Sequence, residues 1–169
     1  MSMTDNAQTS LWKGAFGDAY VDRNAVDDRH LSSISRMWME ILSLMTDAPP
    51  RSILEVGSNV GLNLRALRSI TYAEFYSVEP NDRARAILVN DGVVPRQNVT
   101  DGVAQNIGFS DGVADLVFTS GVLIHIHPDE LLAACREIHR CAVRYVACIE
   151  YFSVKPESVR YRDQDEALF

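Results

Sequence analysis

Two carboxylates flank a glycine-bearing turn near the middle of the sequence. Glu55 precedes Gly57 by two residues in Ile53-Leu-Glu-Val-Gly-Ser-Asn-Val-Gly61, and Glu79 follows Gly57 by 22 positions at the end of SVEP. A turn with glycine at the end of a short apolar run lets backbone approach a ligand closely, and the helix after it offers free amide hydrogens. Gly57 and Gly61 have G-x-x-x-G spacing, unlike the G-x-G-x-x-G that cradles a dinucleotide pyrophosphate. A carboxylate at Glu55 would repel a pyrophosphate and attract a cation. Asn59, between the glycines, tolerates the left-handed conformation. Glu79 lies close to the interval at which an acid reaches the ribose hydroxyls of a bound nucleoside. Together these residues suit a positively charged nucleoside such as S-adenosylmethionine, which carries a sulfonium and an amino group. The alternative is structural, with Glu55 capping a helix and Glu79 ending a solvated strand.

The elements around the turn alternate in type. Ile34, Met37, Trp38, Ile41, Leu42 and Met45 recur at steps of three and four and predict an amphipathic helix, stopped at Asp47-Ala-Pro-Pro. Residues 52–56 (SILEV) read as a first strand, with a helix from the glycine turn to about residue 69. Residues 73–78 predict a second strand, 81–91 a helix, 98–100 a weaker third strand and 115–119 a fourth. Pro128 suits the first turn of a helix ending near Cys141, and residues 144–149 predict a fifth strand. Alternating strands and helices with short connections imply an α/β fold, a Rossmann-like parallel sheet covered on both faces. Residues 1–10 are expected to be a flexible tail, 11–46 an N-terminal helical or lid segment in which Trp12, Phe16 and Tyr20 could cover the ligand, and 47–169 the core.

The chain has 169 residues, enough for one domain with a sizeable core, and is 47% hydrophobic and 23% charged. A net charge of −7 argues against a broad nucleic-acid-binding face. Cys135, Cys141 and Cys148 are odd in number and lack CxxC spacing, as expected of buried thiols in a reducing compartment. The polar opening and the lack of a long apolar run predict a cytoplasmic protein that does not span a membrane. His125 and His127 form an H-x-H pair without a third ligand at helical spacing, so no metal is expected.

ILEVGSNVG followed by SVEP resembles motifs one and two of class I S-adenosylmethionine-dependent methyltransferases. LWKGAFGDAYVDRN, GLNLRAL, FTSGVLIHIHPDEL, IEYFSVKPESVRYR and the closing DEALF are similar to the pseudaminic-acid-biosynthesis-associated methylases, from Leu11 to Phe169. The resemblance implies that Gly57, Ser58, Asn59 and Gly61 surround the methionine part of the cofactor, with Glu79 at the ribose. It implies that the loop Gly102, Val103, Ala104 borders the adenine. AQNIGF aligns best with the motif in which an acid often holds the adenine amino group, and it puts Val103 in the acid's place, leaving that contact to backbone groups. Ser120 and Gly121 would line the methyl-donor pocket.

Methyl transfer needs alignment of donor and acceptor and exclusion of water, and a hydroxyl acceptor also needs a base. His125, just after strand four, is the candidate base, with Glu150 at the end of strand five as second choice; a structural histidine is the alternative for His125. Tyr151, Lys155, Arg160, Tyr161 and Arg162 form an aromatic and basic stretch suited to an acidic or nucleotide-linked sugar, with Tyr151, Tyr161 and Arg162 the substrate candidates. The expected activity is methylation of a small molecule, a sugar or sugar nucleotide in surface-glycan biosynthesis. The rivals are a non-catalytic cofactor- or partner-binding remnant and, opposed by Glu55, an NAD-dependent oxidoreductase. Family members continue past the DEALF-like point into further strands, so the sheet is expected to stop after strand five, leaving an edge open to pairing with a second copy.

Overall fold

The computed structural model describes residues 7–24, 27–152, 154, 159–161 and 164–168. Two short helices, α1 (Ala7–Lys13) and α2 (Ala15–Arg23), precede the long α3 (Asp28–Ser43). Strand β1 (Ser52–Val56) leads into α4 (Leu62–Arg68), and β2 (Glu74–Val78) into α5 (Asp82–Asn90). A 3-10 turn at Arg96–Asn98 joins β3 (Val99–Thr100), and β4 (Ala114–Ser120) is followed by a second 3-10 turn at Leu123–His125. Helix α6 (Pro128–Cys141) runs without a loop into β5 (Ala142–Ile149). The five strands form one parallel sheet in the order β3-β2-β1-β4-β5. The Rossmann-like α/β reading of the sequence is therefore met. A separate antiparallel pair, β6 (Val159–Tyr161) and β7 (Gln164–Leu168), follows the sheet.

The helix boundaries have local causes. Asp27 caps α3 by accepting from the amides of Arg29 and His30, and Asn81 caps α5 through the amide of Ala84 at 2.9 Å. Pro128 occupies the first turn of α6, where no donor is needed, and the His127 imidazole accepts from Asp129 N. The helix predicted from the spacing of Ile34 to Met45 begins earlier than its apolar stripe, because the cap rather than the stripe sets its start.

Strand alternation sorts the core into two layers. Ile53, Leu116 and Phe118 pack with Trp38 of α3 and Leu64 and Leu67 of α4. Leu54, Val56 and Val117 face the opposite side, against Ala134, Ile138 and Cys141 of α6. Trp38 is fully buried, its ring edge-on to Phe118 with centroids 4.5 Å apart. Burying a side chain of that size stabilises the fold by roughly 3 kcal/mol. By the same alternation Glu55 turns to the α3 and α4 side, at the carboxyl end of β1.

The N-terminal helices depart from the linear reading. α1 begins at Ala7, inside the stretch expected to be a flexible tail, and α1 and α2 together arch over the carboxyl ends of the strands. Val21 packs on Val60 and Ala84. Asn81 Nδ2 donates to Asp18 Oδ1 at 2.9 Å and to the Trp12 carbonyl at 3.3 Å. Arg83 pairs with Asp22 at 2.5 Å and Lys13 with Asp101 at 3.8 Å, both at the surface. At the other side of the molecule β5 is a sheet edge, with Val143 and Val146 exposed. β5 also starts two residues earlier than predicted, since Ala142 already pairs with Ala114.

Candidate functional site

A cavity of about 360 Å³ opens where the carboxyl ends of β1, β2 and β4 meet, under α1, α2 and α3. This is the crevice where open α/β sheets bind ligands. Its floor is the turn after β1. Gly57 and Gly61 both have φ of 75°, and Asn59 has φ of 46°, the single positive value outside glycine among the described residues. A Cβ on Gly57 would come within 2.6 Å of Val122 Cγ2, so this position needs glycine for both its dihedral and its space. Ser58 Oγ and Ser77 Oγ share a hydrogen bond at 2.5 Å, which ties the turn to β2.

The two carboxylates end neighbouring strands, and both are buried, Glu55 at 2% and Glu79 at 6% exposure. Glu79 Oε2 accepts from the Asn59 amide at 2.7 Å and its Oε1 from the Asn81 amide at 2.9 Å. Glu55 Oε1 accepts from Asn63 Nδ2 at 2.8 Å, whereas Glu55 Oε2 is buried with no hydrogen-bond partner. An unpaired buried carboxylate oxygen is costly and calls for a donor or a cation. Burial, reinforced by the Glu79 charge and only partly offset by the Asn63 donor, pushes the Glu55 carboxyl up to about 8. Burial also raises Glu79 above the usual carboxylate range, against its backbone amide donors and Arg85.

Of the residues singled out from the sequence, Glu55, Gly57, Ser58, Asn59, Glu79, Gly102, Val103, Ala104, Ser120, Gly121 and His125 all line this cavity. Gly61 lies just behind it, at the N-cap of α4. Val103 and Asn106 form a small antiparallel bridge that shapes the loop, and Gln105 of the same loop is held by Glu130 at 2.8 Å. The nearest acid in that loop, Asp101, turns away to Arg85 and Lys13. His125, half-buried in its 3-10 turn, meets the Trp12 ring with centroids 4.8 Å apart. Trp12 and Tyr20 line the cavity, and Phe16 packs edge-on to Trp12 behind them.

Glu150 is placed elsewhere. Its carboxylate accepts from the amides of Val122 at 3.1 Å and Leu123 at 3.2 Å, fixing the loop that carries His125, and it is not part of the cavity wall. This geometry makes Glu150 an anchor of the loop that carries His125. Tyr151 is 83% exposed and also outside the cavity. Of Tyr161 only the β6 backbone is described, and Arg162 and Lys155 lie outside the described residues.

Sequence reasoning missed His30, Asn63 and Asn81 in the wall. His30, Ile34 and Met37 share one face of α3 at helical spacing and present it to the cavity. Ile34 and Met37 had read as core only. Among the described residues, no group of three His, Cys, Asp or Glu side chains is arranged for a metal ion, and His127 instead serves the α6 cap.

Residues 54–144 match the family of the methyltransferase domain, more than half the chain. The chain belongs to that family. No curated protein matches it. The 1,6-didemethyltoxoflavin-N1-methyltransferase of Burkholderia thailandensis, solved with 1,6-didemethyltoxoflavin and S-adenosylhomocysteine, is similar in structure at TM-score 0.60 and 17% identity, over 86% of this chain and 64% of that one. CalS10, an amino pentose methyltransferase from Micromonospora echinaspora solved with S-adenosylmethionine, superposes at TM-score 0.61 and 14% identity, over 82% of this chain and 57% of that one. The PH0226 protein of Pyrococcus horikoshii gives 0.56 and 17%, over 70% and 56%. This methyltransferase-domain chain thus spans 56–64% of the length of these three structures. Its sheet is the Rossmann-like sheet of class I methyltransferases.

Among the described residues, no helix is long and apolar enough to cross a membrane.

Proposed function

We propose that this chain is an S-adenosylmethionine-dependent methyltransferase that moves a methyl group to an oxygen or nitrogen of a small molecule. The carrying observation is the buried, partnerless Glu55 Oε2 at the glycine turn, next to a second carboxylate at the end of β2. A cationic, amino-bearing nucleoside supplies the missing partner, and a pyrophosphate would meet two carboxylates. The residues present fit the cofactor: Glu55 for its ammonium, the Gly57–Gly61 turn for its methionine part, Glu79 for the ribose hydroxyls, and Val103 and Ala104 for the adenine face. When bound, S-adenosylmethionine supplies a methyl group activated by a sulfonium.

The chain's own residues would then align the acceptor and keep water out. Trp12 and Tyr20 on the roof, with Ile34 and Met37 of α3, give the cavity wall an apolar and aromatic surface suited to excluding solvent. His125 stands on that wall as the group to take a proton from a hydroxyl or amine acceptor, and Glu150 holds its loop in place through two backbone amides. The resemblance to the pseudaminic-acid-associated methylases supports a sugar acceptor. The described cavity wall contains no lysine or arginine, which supports a neutral or amine-bearing sugar over an anionic one.

Calorimetric titration with S-adenosylhomocysteine, set beside NAD, tests the reading. Binding of the first and not the second is expected; indifference to S-adenosylhomocysteine, or a preference for NAD, would overturn it.

A further inference from the structure

The Glu55 carboxylate is held from a helix outside the matched methyltransferase domain. Trp38 Nε1 of α3 donates to Asn63 Oδ1 of α4 at 3.0 Å, and Asn63 Nδ2 donates to Glu55 Oε1 at 2.8 Å. Trp38 is fully buried and Glu55 nearly so. We propose that Trp38 and Asn63 are positioning residues for Glu55, setting which of its oxygens is presented to the ammonium of a ligand. This rests on the cofactor reading above.

The argument follows from donor and acceptor inventories. An indole N–H can only donate, so the Asn63 atom facing it must be the oxygen. The Asn63 NH2 group is thereby turned to Glu55 Oε1, which must accept. A proton on the Glu55 carboxyl has no room there and resides on Oε2, the atom without a partner. The chain of two hydrogen bonds therefore leaves Oε2 alone as the acceptor for a ligand. With burial holding Glu55 near 8, the carboxyl is largely protonated at neutral pH before a ligand arrives. Seating an ammonium beside Oε2 favours the carboxylate, and the displaced proton passes to solvent.

Other groups could mimic this proton, and each is placed. Glu79 faces Glu55 from β2, while His30 of α3 and His125 of the 3-10 turn are the imidazoles of the same cavity. Helix α4 presents no charge to it, since Arg65 is turned to the Val60 carbonyl and Asp91, and Arg68 to the Gly92 carbonyl. Strand β4 contributes Ser120, which is uncharged. Asn63 Nδ2 reaches the Glu55 carboxylate directly and Trp38 reaches Asn63, so variants at these two positions act on Glu55 through that chain of bonds.

The test is calorimetry on the full chain with two probes, S-adenosylhomocysteine and 5′-methylthioadenosine, which shares the nucleoside but lacks the amino acid part. Trp38→Phe keeps an aromatic ring against Phe118 and removes only the donor; Asn63→Leu removes the amide at a half-buried position and decides alone if Trp38→Phe does not fold. S-adenosylhomocysteine should bind about tenfold more weakly at pH 7 in Asn63→Leu, as for loss of one hydrogen bond to a charged group, and about fivefold more weakly in Trp38→Phe, which loses a bond between neutral groups. 5′-Methylthioadenosine should change less than about twofold. The pH at which S-adenosylhomocysteine affinity levels off should also move upward, because losing a donor disfavours the charged carboxyl. Equal weakening of both probes, or unchanged S-adenosylhomocysteine affinity, would overturn the assignment. A wild-type chain that binds neither probe would instead overturn the cofactor reading, and the assignment with it.

Discussion

Glu55 and Glu79 stand at adjacent strand ends on one cavity floor with opposite hydrogen-bond inventories. Both Glu79 oxygens accept backbone amides, from Asn59 and Asn81, while one Glu55 oxygen accepts nothing. Glu79 thus shapes the glycine turn while still facing the cavity, and Glu55 keeps an oxygen wholly without a protein partner.

That contrast predicts an unusual stability profile for Glu55. Its folded pKa is raised to about 8, above the unfolded value, so between roughly pH 4.5 and 8 the folded state binds more protons than the unfolded. The ligand-free protein should lose stability as pH rises through this window, by on the order of a few kcal/mol from Glu55. Glu55→Gln should flatten the slope and raise stability at pH 8 while weakening S-adenosylhomocysteine binding. Urea midpoints at pH 6 and pH 8 for both proteins check it, and equal slopes would remove Glu55 as the source.

Glu79→Gln should act in the other direction. An amide in place of the carboxylate turns a donor toward one of the Asn59 or Asn81 amides, leaving a buried clash of donors that costs about 1–3 kcal/mol. Chemical denaturation should show that loss, together with weaker binding of 5′-methylthioadenosine, since the nucleoside end is affected.

Gly57→Val should abolish S-adenosylhomocysteine binding. A Cβ there meets Val122 Cγ2 at 2.6 Å, and φ of 75° is strained for a β-branched residue. Thermal unfolding should still be cooperative, with a cost of about 1–3 kcal/mol; unchanged affinity in calorimetry would contradict the site assignment.

His125→Ala tests the base. Turnover on an accepted substrate should fall about a hundredfold with S-adenosylhomocysteine affinity nearly unchanged, because the histidine ring packs on Trp12 of the roof. Equal turnover would take His125 out of the chemistry.

The sheet and the floor of the site were legible because they are local. SILEV, the two glycines and the acid after β2 lie within one strand–helix–strand unit, and strand order follows from the crossovers. The roof was not legible, since nothing in LWKGAFGDAY says that Trp12 must face His125, more than a hundred residues away. Asn63 was hidden for a related reason: on α4 it reads as a neutral helix position, and its partners Trp38 and Glu55 come from two other elements. Ile34 and Met37 showed their apolar face but not that part of it borders a cavity. Glu150 was seen as a strand-end acid, yet only the tertiary path of the β4 loop brings the Val122 and Leu123 amides onto it. The β6–β7 pair gave no alternating apolar pattern to read, QDEAL being mostly polar.

The roof over the cavity is fastened partly by charges that lie in water, Arg83 to Asp22 and Lys13 to Asp101. Added electrolyte shortens the reach of such pairs, to a screening length of about 10 Å at 0.1 M and about 3 Å at 1 M. Ligand exchange should therefore quicken with ionic strength, whereas the enclosed floor carboxylates are shielded from it. Buffer composition becomes a handle on how long a bound molecule stays.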